Sequence, residues 1–397
     1  MSKNTHLEHL EDDIFNNGYA GAVNAIAFLT SLRDMLTTGK GGTQTKVTVK
    51  WDGAPAIFCG TDPEVGAFFV GTKSVFAKGE PKVCYTNEDI EMWYGDHPIK
   101  DKLKMCLSQL SKLPIQGVLQ GDLLYTQTPP LVTMGGKKCY KFRPNTITYC
   151  VEKGTEMGNK VAASKLGIVF HTRYVGSSLP EMSASFGVDV SGLQGVGSVA
   201  VFSAEFQNVN GKANLSNTEL VKINNSIRTA KQNLLTGKNF LNAIGGGKKS
   251  FDYAAVFKIY FNDVIRRGTI PSSSQAMTNG FIKFLSARYD KEIEKKKTEK
   301  SKKDWEKKKA DAINYLNTNK SVIYASLSGF KNLMTAKEQI INRLKRIEGV
   351  GTFLEDENGY RVTSPEGFVA IKDGGAVKLV DRLEFSRANF TVAKDWG

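Results

Sequence analysis

Lys50 ends the alternating run Thr45-Lys46-Val47-Thr48-Val49 and is followed at once by Trp51-Asp52-Gly53. A strand that closes on a lysine, a carboxylate and a glycine has two readings. Lys50 is either a solvated strand end or an amine nucleophile at a cleft. A lysine attacks only as the neutral amine, and its ordinary pKa is near 10.4. Lowering that by about 3 pH units corresponds to roughly 4 kcal/mol, which burial and neighbouring cations can supply. The tetrapeptide K-x-D-G decides nothing alone, because average residue usage produces it in roughly one chain in ten of this length. The order of the downstream segments carries more weight. Gly121-Asp122 lies within the apolar run VLQGDLLY, and NTITYCV carries Tyr149. Farther along the chain, EGFVAI carries Glu366-Gly367 and AVKLVD carries Lys378.

Such residues need strands to hold them. From Lys46 to about Phe206 the sequence runs in short alternating or apolar stretches bounded by Gly, Pro and Asp, among them PAIFCG, GAFFVGT, LGIVFHTRY and SVAVFSAEF. One helical patch, DKLKMCLSQLSKL, interrupts them. Residues 1–42 read as a helical segment, with Leu7, Leu10, Ile14 and then Ala20 to Met35 at helical spacing before Gly39, Gly41 and Gly42. Residues 214–348 lose the strand signal. SNTELVKINNSIRTAKQNLL opens on a Ser/Thr/Glu helix start, and FDYAAVFKIYFNDVIRR and AMTNGFIKFLSARY keep helical spacing. The charged run KEIEKKKTEKSKKDWEKKKADAINYL mixes both signs and reads as a solvated helix laced with ion pairs. Gly245-Gly246-Gly247 has no GxxxxGK[ST] pattern around it and reads as a helix break rather than a phosphate loop. Strand alternation returns over 349–397. The expected architecture is α+β: a domain of antiparallel sheets, 43–213 and 349–397, split by a helical insertion at 214–348.

Composition bounds the rest. A 397-residue chain with 41% hydrophobic and 24% charged residues is that of an ordinary globular protein. No run of about 18 apolar residues occurs, so no membrane span is expected. The opening MSKNTHLEHLEDDIF is polar and acidic and lacks the apolar core of a signal peptide. Five cysteines without CxxC spacing and only four histidines argue against a zinc site. The cysteines read as reduced, small core residues in a cytoplasmic setting. The formal charge of +14 points to a polyanionic partner, nucleic acid first.

Taken in order, KWDG, QGDL, the Tyr149 strand, EGFV and VKLV resemble the covalent nucleotidyltransferase superfamily of ATP-dependent DNA and RNA ligases and mRNA capping enzymes. The resemblance covers about residues 45–155 and 351–385. It implies a ligase-type domain in which Lys50 attacks the α-phosphate of ATP. Asp52 would help hold the site, and Gly53 would let the backbone approach the nucleotide. Glu366 matches a metal-linked glutamate. Asp122 stands where the family has the glutamate of D-G-E-L, one methylene shorter, and shares the metal role for Mg²⁺ or Mn²⁺. Lys378 would bind the α-phosphate, and Lys73 in VGTKSVF would contact phosphates or a nucleic-acid end. Tyr149 would stack on adenine, with Phe170 as the competing candidate. The second lysine of the family's K-x-K is replaced by Val380, followed by Asp381-Arg382. His171 has no nucleophile partner in the sequence and reads as structural.

The sequence runs fewer than twenty residues past Lys378, too few for the OB-fold domain that comes next in DNA ligases and capping enzymes. The resemblance therefore leans to the RNA-ligase type. It implies a covalent lysyl-AMP, AMP transfer to a 5′-phosphate end and sealing, with RNA ahead of DNA as partner through the basic surface. ATP and GTP are both used across the superfamily. The alternatives are a DNA ligase, a nucleotidyltransferase with another acceptor, and a non-catalytic phage structural or interaction protein with a ligase-like fold. The whole chain also resembles uncharacterised proteins of tailed bacteriophages that share THLEHLEDDIF and VKWDGAPAIF, which implies the host cytoplasm. The nucleotidyltransferase reading requires Lys50, Asp122, Glu366 and Lys378 to meet at one cleft.

Overall fold

The computed structural model describes residues 8–38, 45–134, 136–194, 196–204, 215–244, 251–344, 351–356, 359–363, 367–372 and 375–383. Its strands are β1 (Thr45–Lys50), β2 (Ala56–Thr61), β3 (Phe68–Gly71), β4 (Val118–Tyr125), β5 (Leu131–Met134), β6 (Lys137–Phe142) and β7 (Ile147–Glu152). They continue with β8 (Leu166–Val175), β9 (Ser183–Phe186), β10 (Val199–Phe202), β11 (Gly351–Asp356), β12 (Gly359–Thr363), β13 (Gly367–Lys372) and β14 (Gly375–Val380). The first sheet has the order β1-β13-β14. The second runs β10-β8-β4-β2-β3 with β9 paired to β8, and the third runs β12-β11-β7-β6-β5. Pairing is antiparallel except between β8 and β10. The protein is thus mixed α+β with largely antiparallel sheets.

Strands from both sides of the long helical segment share two of these sheets. β13 pairs with β1, and β11 pairs with β7. Between them in sequence lie the helices Asn217–Thr236, Lys238–Ala243, Tyr253–Arg266, Ser274–Glu294, Glu299–Thr318 and Lys320–Leu344. The motif SNTE does close a capping box: Ser216 Oγ accepts from the Glu219 N–H, and the Glu219 carboxylate accepts from the Ser216 N–H. The N-terminal helix Gly18–Thr38 packs with these helices in one apolar core, Leu29 and Leu32 with Ile227, Phe257 and Phe330. N-terminal and inserted helices therefore make one body. The charge-rich run forms the helix Glu299–Thr318, with surface ion pairs such as Lys309–Asp290 at 2.6 Å and Lys302–Glu299 at 3.2 Å. Exposed pairs of this kind contribute at most about 1 kcal/mol each.

The first sheet separates the helical body from the cleft. Side chains alternate across a strand, and register puts Val47, Ala370 and Val377 in one row and Phe368 and Leu379 in the next. These pack into the helical core. The opposite face carries Lys50, Val369, Lys378 and Val380. The second sheet is equally two-sided. Ile57, Cys59, Leu119, Leu123, Ile168 and Phe170 pack on the helices Asn87–Tyr94 and Lys100–Leu110. Phe58, Gln120, Asp122 and Val169 face the first sheet across a cavity.

All five cysteines are buried free thiols. Burial pushes Cys84 and Cys150 up to about 12, so they sit as protonated core groups. No helix among the described residues is long and apolar enough to cross a membrane. The glycine run 245–247 lies outside the described residues.

Candidate active site

The cavity between the first and second sheets has a volume of about 270 Å³, near the low end for small-molecule sites. Lys50 and Lys378 border it from β1 and β14, Asp122 from β4, and Lys73 from the short helix Lys73–Phe76. Lys50, Asp122 and Lys378 are half-buried, and Lys73 is exposed. Four of the residues singled out in the sequence thus meet in space. Glu366 lies outside the described residues; its neighbour Gly367 pairs directly with Lys50.

Asp52 and Gly53 act one step behind the cavity. After Lys50 the chain crosses from the first sheet to the second over residues 51–55. Asp52 is 3% exposed. Its carboxylate accepts from Asn145 Nδ2 at 2.8 Å and from the Thr146 and Ile147 N–H groups at 2.7 Å each. Its own N–H donates to the Tyr149 hydroxyl at 2.7 Å. Hydrogen bonds to a buried charge contribute roughly 1.5–3 kcal/mol each. They pin the end of β1 to the start of β7 and so fix where Lys50 emerges. The far end of the crossing is tied to β4: Ala54 N–H donates to Leu123 O at 2.9 Å, and Leu123 N–H to Pro55 O at 3.1 Å. A Cβ on Gly53 would sit 2.6 Å from the Asp122 Cβ. The close approach that Gly53 permits is therefore to Asp122, where the sequence suggested a nucleotide.

Tyr149 is 2% exposed, and it does not border the cavity. Its ring lies 4.9 Å from Trp51 and 5.5 Å from Phe142, inside a cluster with Phe202 and Val380. Phe170 is fully buried on the other side of the second sheet. Neither aromatic expected to stack on a base borders the cavity. Phe186, half-buried on β9, does border it. Val380 is also enclosed by that cluster, so a lysine there would have no solvent for its head. Arg382 points elsewhere, its guanidinium donating to Asp12 Oδ1 at 2.8 Å and to Asn262 Oδ1 at 2.8 Å.

His171, structural by its sequence context, belongs to the cavity. Gln120 pairs with Thr172 and Gly121 with Phe170, which leaves His171 as the extra residue of a β-bulge. The bulge puts the consecutive residues His171 and Thr172 both along the cavity. His171 Nε2 lies 3.5 Å from Asp122 Oδ1, and Nδ1 lies 2.8 Å from Thr172 Oγ1. Gly121, opposite Phe170 beside the bulge, has no room for a side chain: a Cβ there would sit 2.8 Å from the Phe170 ring and the Val169 carbonyl. The sequence carries one signal for it: three polar residues in succession, His171-Thr172-Arg173, directly after the apolar run LGIVF.

The N-terminal segment reaches the same strand. Lys378 N–H donates to Glu8 O at 2.9 Å, and His9 bridges to Lys378 in parallel. Beyond it, Lys337 Nζ donates to both Glu11 carboxylate oxygens at 2.8 Å, and Arg382 pairs with Asp12. Burial pushes the Glu11 carboxyl up, but Lys337 and Arg382 outweigh it and hold it below its ordinary range. Burial raises Asp12 despite Arg382. Burial, reinforced by Arg382, Lys337, Lys378 and Lys50, holds His9 well below its ordinary value.

A second hollow of about 260 Å³ lies along the 51–55 crossing, bordered by Ala54, Tyr125 and Phe142 with the cations Lys102, Lys141 and Arg143. Among the described residues, no three or more His, Cys, Asp or Glu side chains are grouped to hold a metal unaided.

The chain belongs to a family of unknown function, DUF6267, whose family model matches residues 4–394. Comparisons with curated proteins and with solved structures return no match.

Proposed function

We propose that the cavity is an ATP site and that Lys50 becomes covalently adenylated in it. The observation that carries this reading is the convergence of Lys50, Lys73, Asp122 and Lys378 on one cavity between two sheets. Three lysines around a concave site suit a triphosphate. The cavity between two largely antiparallel sheets, with the helical segment inserted between their strands, supports a split ligase-type domain.

In the adenylation step the neutral Lys50 Nζ forms a bond to the α-phosphorus. The bond from that phosphorus to the bridging oxygen of the β-phosphate breaks, and pyrophosphate leaves. Lys378, on the same sheet face, offsets the charge that develops on the α-phosphate. Lys73, at the rim, suits the departing phosphates. Phe186 offers the adenine a ring face in place of Tyr149. Asp122 would hold Mg²⁺ or Mn²⁺, which supplies neutralisation of phosphate charge. Asp52 and Tyr149 hold the crossing that presents Lys50. AMP then passes from Lys50 to a polynucleotide 5′-phosphate, a 3′-hydroxyl attacks that phosphate, and AMP is released. RNA is the favoured strand, in line with the RNA-ligase-type resemblance. The net charge of +14 and the hollow bearing Lys102, Lys141 and Arg143 support a polynucleotide backbone as partner, with affinity that falls with salt.

Incubation with α-labelled ATP and Mg²⁺ or Mn²⁺ should label the wild type covalently and leave Lys50→Ala and Lys50→Arg unlabelled. Equal labelling of wild type and Lys50→Ala overturns the proposal. Nicked RNA should be sealed in preference to nicked DNA; sealing of DNA alone, or of neither, moves the acceptor to another class.

A further inference from the structure

We propose that His171 Nε2 and Asp122 Oδ1 together ligate a first-row divalent cation of the Mn²⁺ type. This deepens the ATP-site reading and rests on it for the purpose of the metal, while the ligand pair itself rests on geometry. His171 reaches the cavity only because a β-bulge inserts it between Phe170 and Thr172 in the pairing with β4. Bulges recur where a strand must re-aim a side chain beside an active site. The contact of His171 Nδ1 with Thr172 Oγ1 at 2.8 Å orients the ring and leaves Nε2 toward Asp122. An outer hydrogen bond on the second ring nitrogen is the usual arrangement for a metal-binding imidazole.

The Nε2 to Oδ1 separation of 3.5 Å is long for a hydrogen bond. Two donors each about 2.1 Å from one ion lie roughly 3.0–3.4 Å apart, depending on coordination geometry. The pair is therefore close to the spacing that a shared cation sets. Two protein donors do not complete a coordination shell, and phosphate oxygens with water supply the remainder in many nucleotide sites. The three lysines around the cavity oppose a lone cation and favour one that arrives with phosphates. The donor types set the preference. Mg²⁺ favours oxygen ligands in a strict octahedron, whereas Mn²⁺ and its heavier neighbours also accept imidazole nitrogen.

Mn²⁺ titrated together with inorganic triphosphate into the full-length protein, and followed by electron paramagnetic resonance, tests this. Wild type and Lys50→Ala should each bind one Mn²⁺ per chain with a ¹⁴N hyperfine coupling from imidazole. His171→Gln should lose that coupling and bind at least tenfold more weakly, at an unchanged thermal unfolding midpoint. Asp122→Asn should weaken binding and keep the coupling. Unchanged affinity in His171→Gln, or no nitrogen coupling in the wild type, overturns the ligand pair. In adenylation, the ratio of Mn²⁺-supported to Mg²⁺-supported labelling should fall at least tenfold in His171→Gln. The two readings fail separately. Labelling of Lys50 without nitrogen coupling removes the ligand pair and leaves adenylation, and coupling without labelling does the reverse.

Discussion

β14 carries Lys378 to the cavity, and the chain just beyond it delivers Arg382 to a cluster of buried charges. The two regions use the same residue types and differ in how charge is balanced. In the cluster, Lys337 and Arg382 meet Glu11 and Asp12, and all four are at most 4% exposed. In the cavity, Lys50, Lys73 and Lys378 face Asp122 among the described lining residues, none of them fully buried. Charges enclosed and matched one for one hold elements together, and little about them is left to a ligand. Three lysines bordering a concave, partly wet surface attract anions from solution. The cluster ties the N-terminal segment to the helix Lys320–Leu344 and to the end of β14.

Matched substitutions in the two regions test the contrast most strongly. Lys337→Met leaves the buried Glu11 carboxylate with Arg382 at 3.5 Å in place of its two 2.8 Å contacts, and should cost about 3–5 kcal/mol in urea unfolding. Lys50→Met, at a half-buried position, should cost clearly less, on the order of 1 kcal/mol, while abolishing ATP labelling. Similar stability losses for both would erase the distinction. Within the cluster, the double substitution Glu11→Met/Lys337→Met should recover at least half of the single-substitution loss, because a packed apolar pair replaces a desolvated ion pair. A loss equal to the sum of the two singles would show that the residues do not act as a pair.

Asp52→Asn sits between the two cases. It turns one accepting oxygen into an amide that faces backbone donors, and should destabilise by about 2–3 kcal/mol. Labelling at Lys50 should slow as well, although Asp52 does not border the cavity. A fully stable Asp52→Asn protein that labels normally would remove its positioning role.

The smallest effect is pH-dependent. His9 is held below its ordinary value, so the folded state binds its proton less readily than the unfolded state does. The stability this carries is intact above about pH 6.5 and is lost as pH falls toward the folded value, by at most about 1.4 kcal/mol per pH unit. Glu11, depressed, contributes its loss only at more acidic pH, and raised Asp12 works in the opposite sense. Urea unfolding at pH 7 and pH 5.5 should show the wild type weakening while His9→Gln changes less. Parallel behaviour of the two would place the acid sensitivity elsewhere.

Much of the strand and helix layout is legible in the residues alone. Alternation in VTVKW and AVKLVD marks β1 and β14, and the short apolar run VLQGDLLY marks β4, because successive side chains point to opposite faces of a sheet. The Ser216–Glu219 box marks its helix start, because the cap is local. Lys50, Lys73, Asp122 and Lys378 stand out as an ordered set. Sequence reasoning misplaces Tyr149 because an aromatic in a strand looks the same whether it meets a ligand or another ring. It passes over His171 because one inserted residue flips a side chain to the other face of a sheet, and pairing decides where the insertion falls. The polar opening THLEHLEDD gives no sign that Glu11 and Asp12 are buried, because their partners lie more than 300 residues away.

The sequence by itself determined the order of strands and helices, the excess of positive charge and the lysine poised at a strand end. These arise from periodicity and composition, which neighbouring residues encode. Only the tertiary structure decided which charges are enclosed in a buried cluster and which border a cavity. It also moved Gly53 from a ligand contact to a contact with Asp122, and brought His171 beside that carboxylate. Those outcomes depend on register and on partners distant in the chain, and short-range patterns carry no record of either.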